Sequence, residues 1–335
     1  MFAAVMALAA AAGRSSPCAS TDHPADCAGL SSFGTALGWR SWVKSDNWLS
    51  DQSVCQWHGV TCGDGRVTQI SLEHNGLKGA LPEAIGNLTK LSILNLNGGR
   101  PASYQGCVGN NFHNSSIPDS LYTLTSLTSV NLEYTCLGGG LSPQIGRLTA
   151  MESFSVHGNY LSGSIPPEMN LMTGLTTFKL GRNPFTGGFP DMRNLTKLVQ
   201  FNCNFCSLTG PVLDIFDNFP NLEFSYWDGN GFTGGLPKSV GKLKKLSRIS
   251  FNINSLSGPV PTEWVGLAKS GVLTDCRIGA DTNLTAYLAN YPWIQSVTGN
   301  VYSCPLPDFA VGKGVCNHVT DCADVVNPCS PTQCK

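Results

Sequence analysis

One phrase recurs along this chain at a fixed period. It reads "NGLKGALPEAI" at Asn75, "NYLSGSIPPEM" at Asn159, "NGFTGGLPKSV" at Asn230 and "NSLSGPVPTEW" at Asn254. A short unit that repeats cannot bury its apolar face alone, so the units must stack into a core that grows in one dimension. From Val67 the chain divides into blocks of 24 residues, the first being "VTQISLEHNGLKGALPEAIGNLTK". The second block begins at Leu91 and is stretched to Ser126 by an insertion. Later blocks start at Leu127, Met151, Leu175, Leu198, Leu222 and Leu246, the one at Leu175 being a residue short. Eight repeats, ending at Lys269, share the pattern LxxLxLxxNxLxGxIPxxLxxLxx.

Each position has a physical reading. The "LxLxx" stretch alternates apolar and polar residues, as a half-buried strand does. With strands about 4.8 Å apart, eight of them make a sheet about 38 Å long. The ninth position is Asn at Asn75, Asn159, Asn183, Asn230 and Asn254. An Asn side chain there can bond neighbouring backbone and form a ladder inside the bend. The Gly that follows permits unusual φ, and the Pro stops the chain from continuing into a long helix. "NYLSGSIPPEM" therefore reads as the corner and convex side of a coil.

The pattern resembles the leucine-rich repeat, in its plant-type variant with the LxGxIP phrase. The resemblance implies an α/β solenoid: a right-handed horseshoe with a concave parallel β-sheet, eight repeats and disulfide-bonded caps. "NWLSDQSVCQWHGVTCGDGRVTQISL" resembles the plant-type N-terminal cap with its CxWxGVxC signature. That likeness implies a Cys55–Cys62 disulfide, with Trp48 and Trp57 covering the apolar end of the first coil. A Cys18–Cys27 pair fits beside it. The segment from Ser270 onward loses the repeat and reads as a C-terminal cap with a Cys-rich tail. The expected organisation is a signal peptide over 1–12, a cap over 13–66, eight repeats over 67–269, and a cap and tail over 270–335.

Export is the compartment these features favour. Phe2 to Ala12 is an apolar run too short to span a bilayer, with Ala10 and Ala12 in a cleavage-type pattern; no later stretch reaches membrane-spanning length. Fourteen cysteines and four glycosylation sequons, at Asn87, Asn114, Asn194 and Asn283, point the same way. Register adds a second bridge. The insertion "RPASYQGCVGN" follows one strand and Cys136 follows the next, so adjacent coils bring Cys107 and Cys136 within disulfide reach. Register also places Asn87 and Asn194 on the convex side, away from the strands.

Catalytic and metal chemistry find no foothold. The six histidines are scattered, and no nucleophile, base or metal-ligand set converges. "CNFC" at Cys203 to Cys206 lacks a second ligand pair for zinc, and repeat register reads it as buried thiols or a local disulfide. No cofactor is implied. With 13% charged residues and a net charge of -1, no basic stripe exists for nucleic acid.

What remains is the outward strand positions. Glu73, His74, Glu133, Phe224, Ser71, Asn95, Asn131, Ser155, Asn202 and Ser250 fall there. So do the residues read as ligand-binding: Tyr134, His157, Lys179, Arg182, Phe205, Tyr226, Asp228 and Arg248. Aromatics and Arg are typical anchors, and Asn and Ser adapt their hydrogen bonds. The reading is a secreted, non-enzymatic recognition protein whose concave face takes an extracellular protein, peptide or glycan, as inhibitors and soluble co-receptors of the family do. The alternative is a structural glycoprotein of the cell wall or matrix.

Overall fold

The computed structural model describes residues 17–102, 107–113 and 115–279, and beyond them 291, 293, 294, 297, 299–303, 310 and 316. The expected signal peptide, the sequons Asn114 and Asn283, and most of the Cys-rich tail lie outside the described residues.

The repeats form the expected stack of coils around a ten-stranded sheet. Strand β1 (Val60–Gly63) pairs antiparallel with β2 (Arg66–Ser71). From β2 onward the sheet is parallel, each repeat contributing one strand: β3 (Ile93–Asn95), β4 (Ser129–Asn131), β5 (Ser153–Ser155), β6 (Thr177–Lys179), β8 (Gln200–Asn202), β10 (Phe224–Tyr226) and β12 (Arg248–Ser250). Strand β14 (Asp275–Arg277) adds a rung beyond the eighth repeat. The middle residue of each strand from β2 to β14 points into the core, as the alternation requires.

A second parallel sheet is the main feature that the repeat pattern did not announce. It joins β7 (Thr186–Gly188), β9 (Ser207–Pro211), β11 (Gly231–Gly234), β13 (Ser255–Pro259) and β15 (Val301–Ser303). These strands use the "xLxG" part of the phrase read from sequence as a corner. The Pro behaves as expected: Pro82, Pro118, Pro166, Pro237 and Pro261 each cap a short 3-10 turn on the convex side.

An asparagine ladder runs through most of the coils, with Thr135 and Cys206 standing in its place in two of them. Asn159, for example, donates to the carbonyls of Leu132 and Val156 at 2.7 and 2.9 Å and accepts from the Leu137 amide at 3.0 Å. Buried backbone groups at each bend thus find partners one coil away. Asn300 takes the same role after the last repeat, donating to Phe251 and Ile278 at 2.8 Å each.

At the N-terminal end, Phe33, Trp42, Trp48 and Trp57 close the core, with Trp48 and Trp57 rings 5.0 Å apart. The helix Pro24–Ala36 is tied to the first coil by Asp26. Its buried carboxylate receives Nε and Nη2 of Arg66 at 2.9 and 3.0 Å and the Val67 amide at 2.8 Å. Disulfides join Cys18 to Cys27, Cys55 to Cys62, and, at the far end, Cys276 to Cys316. Capping in this way covers the open ends of the sheet and core.

Candidate functional site

The concave sheet presents two outward columns. The first positions of the strands give Gln69, Ile93, Ser129, Ser153, Thr177, Gln200, Phe224, Arg248 and Asp275; the third positions give Ser71, Asn95, Asn131, Ser155, Lys179, Asn202, Tyr226, Ser250 and Arg277. Over the first five coils these columns line a shallow groove of about 220 Å³, made almost wholly of hydroxyls and amides. Its one apolar member is Ile93. Its charges are paired: Lys179 Nζ lies 3.6 Å from Glu133 Oε1, which also accepts from Ser155 Oγ at 2.6 Å. From β10 onward the face changes. Tyr226 is half-buried, and the Arg248 guanidinium sits 6.0 Å from the Phe224 ring centroid.

Alternation does not continue past the seventh position of the repeat. The eighth residue adopts left-handed backbone at His74, Tyr134, Arg182, Phe205 and Ile253, with φ of 53, 54, 57, 50 and 55°. Left-handed geometry swings these side chains out of the sheet's plane to the rim of the face. Glycines stand at the same position in other coils. Gly158 lies beneath the Tyr134 ring and Gly229 beneath Phe205, each so close that a Cβ would come 2.4 Å from the ring.

Three of the sequence-derived ligand residues are therefore placed differently from expectation. Phe205 is not an open anchor: it is 5% exposed, stacked against Tyr291 with centroids 4.4 Å apart. Trp293 seals the contact, its Nε1 donating to the Phe205 carbonyl at 3.2 Å while Ser207 Oγ donates to the Trp293 carbonyl at 2.6 Å. His157 and Asp228, both at the seventh position, are buried as well. Burial, reinforced by Arg182, Lys179 and Arg100, pushes the His157 imidazole down to about 3, so it is neutral. Burial raises the Asp228 carboxyl to about 6, with opposing effects from a Ser250 hydrogen bond and from Arg182 and Arg277.

The other five sequence-derived residues fall into two groups. Tyr134, Lys179 and Arg182 gather around His157 on the third to fifth coils, Tyr134 meeting His157 edge-on at 5.4 Å. Tyr226 and Arg248 belong to the seventh and eighth coils.

The insertion sits between the second strand and its ladder residue. That residue is Asn110, which the sequence reading passed over. It donates to Leu72 and Leu96 at 2.7 and 2.8 Å and accepts from the Asn75 and Leu77 amides at 3.1 Å each. The signal was present: "NNFHNSSIP" repeats the ladder phrase once the insertion ends. Gly98 packs on the Tyr134 carbonyl, and Cys107 is joined to Cys136, so both described ends of the insertion rest on the third coil. Tyr291 and Trp293 were also missed, because the segment that carries them has no repeat register.

Asn87 ends a 3-10 turn on the convex side, and Asn194 is exposed on the same side two residues past Met192. Cys203 and Cys206 are free, buried thiols rather than a disulfide; burial lifts both, Cys206 to about 12. Among the described residues no helix is long and apolar enough to cross a membrane.

Comparison with known proteins follows this geometry. No protein-family model matches the chain. Phytosulfokine receptor 1 of Arabidopsis thaliana is 32% identical over 129 residues, 37% of this chain and 11% of that protein. Phytosulfokine receptor 2 of the same plant is 37% identical over 86 residues, 24% of this chain and 8% of that protein. The matched stretches thus span about a tenth of those relatives' length. Among solved structures, the leucine-rich repeat ectodomain of the Arabidopsis receptor kinase GASSHO1/SCHENGEN3, in complex with CASPARIAN STRIP INTEGRITY FACTOR 2, aligns at a TM-score of 0.61 and 25% identity. The alignment covers 76% of this chain and 27% of that one.

Proposed function

The chain is a plant-type leucine-rich repeat protein, and from that premise we propose that it recognises an extended peptide laid across its concave face outside the cell. The observation that carries this reading is the open groove over the first five coils, built from hydroxyls and amides and flanked by a disulfide-tethered loop. Ser and Asn side chains there can bond peptide backbone in either sense, since each offers donor and acceptor. Five rungs about 4.8 Å apart span about 19 Å, the length of roughly six extended residues. Tyr226, Phe224 and Arg248 supply aromatic and cationic contacts further along, the residue types that most often anchor interfaces.

Two further lines support it. The solved structure named above holds an ectodomain of this fold in complex with CASPARIAN STRIP INTEGRITY FACTOR 2, and the matched relatives are named as phytosulfokine receptors. Four disulfides among the described residues fit an oxidising compartment. The hydroxyls, amides and paired charges of the groove are groups suited to recognition.

Affinity capture from plant extracellular fluid, with mass spectrometry of what co-elutes, tests the reading when run beside Asn131→Arg and Ser153→Arg. Both put a bulky charge into the groove on half-exposed positions. The expected result is a peptide retained by wild type and lost by both variants. A ligand that binds all three equally would remove the groove from consideration.

A further inference from the structure

One tetrapeptide, Asn-Leu-Thr-Lys, stands at 87–90 and again at 194–197, each time with the Asn-x-Thr pattern of a glycan acceptor. The local sequences are identical, so any difference between the two comes from what surrounds them. The first is roofed. Asn87 closes the 3-10 turn Glu83–Asn87, and the helix Pro24–Ala36 lies on it. A Cβ on Gly29 of that helix would come 3.3 Å from the Asn87 Cβ, 3.2 Å from the Ala84 carbonyl oxygen and 2.9 Å from Leu88 Cδ2. Thr89 is engaged as well, its hydroxyl accepting from Arg66 Nη2 at 3.2 Å. The same guanidinium ties the helix to the first coil through Asp26. The second tetrapeptide is open. Its coil is a residue short and forms only turns and bends between Phe189 and Val199, without a 3-10 helix. Asn194 and Thr196 are both exposed, and neither side chain is hydrogen-bonded among the described residues. The Asn194 backbone amide donates to Asn170 Oδ1 at 2.9 Å, which fixes the turn against the fourth coil.

We infer that Asn194 carries an N-linked oligosaccharide whose first sugar covers Leu171, and that Asn87 stays bare. Leu171 is the second observation. It follows Asn170 directly and so flanks the Asn194 amide, and at 54% exposed it is the most exposed leucine among the described residues. A sugar joined to Asn194 begins within reach of it, and the C–H face of a pyranose can remove that apolar surface from water. In the transfer, Asn194 Nδ2 forms a bond to the anomeric carbon of a lipid-pyrophosphate-linked oligosaccharide. The bond from that carbon to the pyrophosphate oxygen breaks, the lipid pyrophosphate leaves with the electron pair, and one amide proton passes to a base of the transferase. Asn194 offers its carboxamide to such an enzyme on an outer turn. Asn87 would have to lift the helix Pro24–Ala36 and release Thr89 from Arg66, against the buried Asp26 that holds Arg66 and the Val67 amide. A glycan at Asn194 lies on the convex side, away from the strands, so the inference stands apart from the ligand of the groove.

The full chain, produced in plant cells behind a cleavable secretory leader, serves for the test. Glycopeptide mass spectrometry, before and after enzymatic release of N-glycans, reads each acceptor. Asn194 should be modified in most molecules and Asn87 in few. In intact mass, Thr196→Ala should remove one glycan, and Thr89→Ala should change nothing beyond the substitution itself; thermal unfolding checks that both variants are folded. Hydroxyl-radical footprinting then reads Leu171. Its labelling should rise once the glycan is released, while that of Leu213, 37% exposed and two coils away, stays as it was. A bare Asn194, or equal occupancy of the two tetrapeptides, overturns the assignment. Leu171 labelling that is indifferent to release of the glycan overturns the place given to its first sugar.

Discussion

The first three coils and the last five are built on one frame and filled differently. At the central strand position the early coils bury Ile70, Leu94 and Val130; later ones bury Phe154, Phe178 and Phe201. Two residues on, Leu72, Leu96 and Leu132 give way to Cys203, Trp227 and Phe251. Rings then touch in series, with Phe154–Phe178 centroids 6.2 Å apart, Phe178–Phe201 6.0 Å and Phe201–Trp227 4.7 Å. Trp227 fits because its neighbours shrink: Ser225 replaces a large residue on the strand and accepts the indole N–H at 2.8 Å, and Cys203 lies one coil back. The core conserves volume rather than residue identity. The outer face follows suit, small and polar over the early coils, aromatic and cationic over the late ones.

The second sheet follows the same division. It runs through β7, β9, β11, β13 and β15 but is reduced to single bridges at Lys78–Asn111 in the early coils and at Gly163–Phe185 between the fourth and fifth. Two local causes act there. The stretch from Asn110 to Pro118 is one residue longer than that from Asn75 to Pro82, which breaks register. Gly138, Gly139 and Gly140 then deprive the third coil of side chains that would stiffen a strand.

The sharpest way to break this comparison is to empty the aromatic core. Trp227→Ala should cost about 3–5 kcal/mol in denaturant unfolding, because the packed rings of Phe189, Phe201, Phe216, Phe232 and Phe251 around it cannot collapse into the space. Leu132→Ala, the equivalent change in an early coil, should cost less. Equal losses would mean that the ring stack adds nothing beyond ordinary burial.

His157 and Asp228 occupy the same repeat position in the two regions and titrate in opposite senses. The folded His157 imidazole sits at about 3 against 6.5 for a free one, so its contribution is complete above pH 6.5 and erodes as pH falls toward 3. Asp228 sits at about 6 against 3.8, so its ionisation penalises the fold above pH 6 and vanishes below 3.8. Between pH 6 and 4 the two oppose each other, worth at their limits on the order of 5 kcal/mol for His157 and about 3 kcal/mol for Asp228. Relative to wild type, Asp228→Asn should lose stability faster on acidification, and His157→Gln more slowly. Urea unfolding at pH 4, 5, 6 and 7 reads both slopes; parallel slopes for all three proteins would contradict the assignment.

Most of the frame was legible in the sequence. The period, strand alternation, ladder, Trp caps and Cys107–Cys136 contact all follow from local periodicity and register, which a single repeat already carries. The candidate site was only half legible. Lys179, Tyr226 and Arg248 stand on the face because alternation holds through the strand. Phe205 was misplaced because the left-handed eighth residue ends that alternation, and because Tyr291 lies far away in a segment without register. His157 and Asp228 looked like surface residues since polarity alone does not reveal burial beside cations or a Ser hydroxyl.

The rim glycines sharpen the same contrast at smaller cost. Gly158 and Gly229 have φ of 71 and 69°, where any Cβ is strained, and each lies against a ring. Tyr134, over Gly158, is half-buried, with its ring edge-on to His157. Phe205, over Gly229, is locked under Tyr291. Gly158→Ala should therefore cost about 1 kcal/mol and Gly229→Ala about 2. Hydrogen exchange should show added opening of the Tyr291–Trp293 segment only in Gly229→Ala; equal opening in both would mean that the two rims are held alike.

The smallest effect concerns the one late coil whose ladder lacks an amide. Cys206 stands where Asn183 and Asn230 stand in the flanking coils. Its thiol reaches the Leu180 and Asn204 carbonyls only at 3.9 and 3.7 Å, weak contacts for a sulfur donor. Asn183 donates to Leu180 at 2.8 Å and Asn230 to Cys203 at 2.9 Å, so the carbonyls around Cys206 already have one donor each and a second lone pair to spare. An Asn side chain at this position completes the ladder, adding two donors and an acceptor to backbone that the thiol serves poorly. Cys206→Asn should thus stabilise the protein by about 1 kcal/mol, the net worth of an ordinary buried hydrogen bond. Cys203 makes the control. It faces the core beside Trp227, so Cys203→Leu overpacks a filled space and should destabilise by about 1–3 kcal/mol. Two adjacent buried thiols would then respond with opposite signs in the same unfolding experiment, one because its coil lacks a hydrogen-bonding group and the other because its coil lacks room. A loss of stability in Cys206→Asn would mean that this bend has been shaped around sulfur.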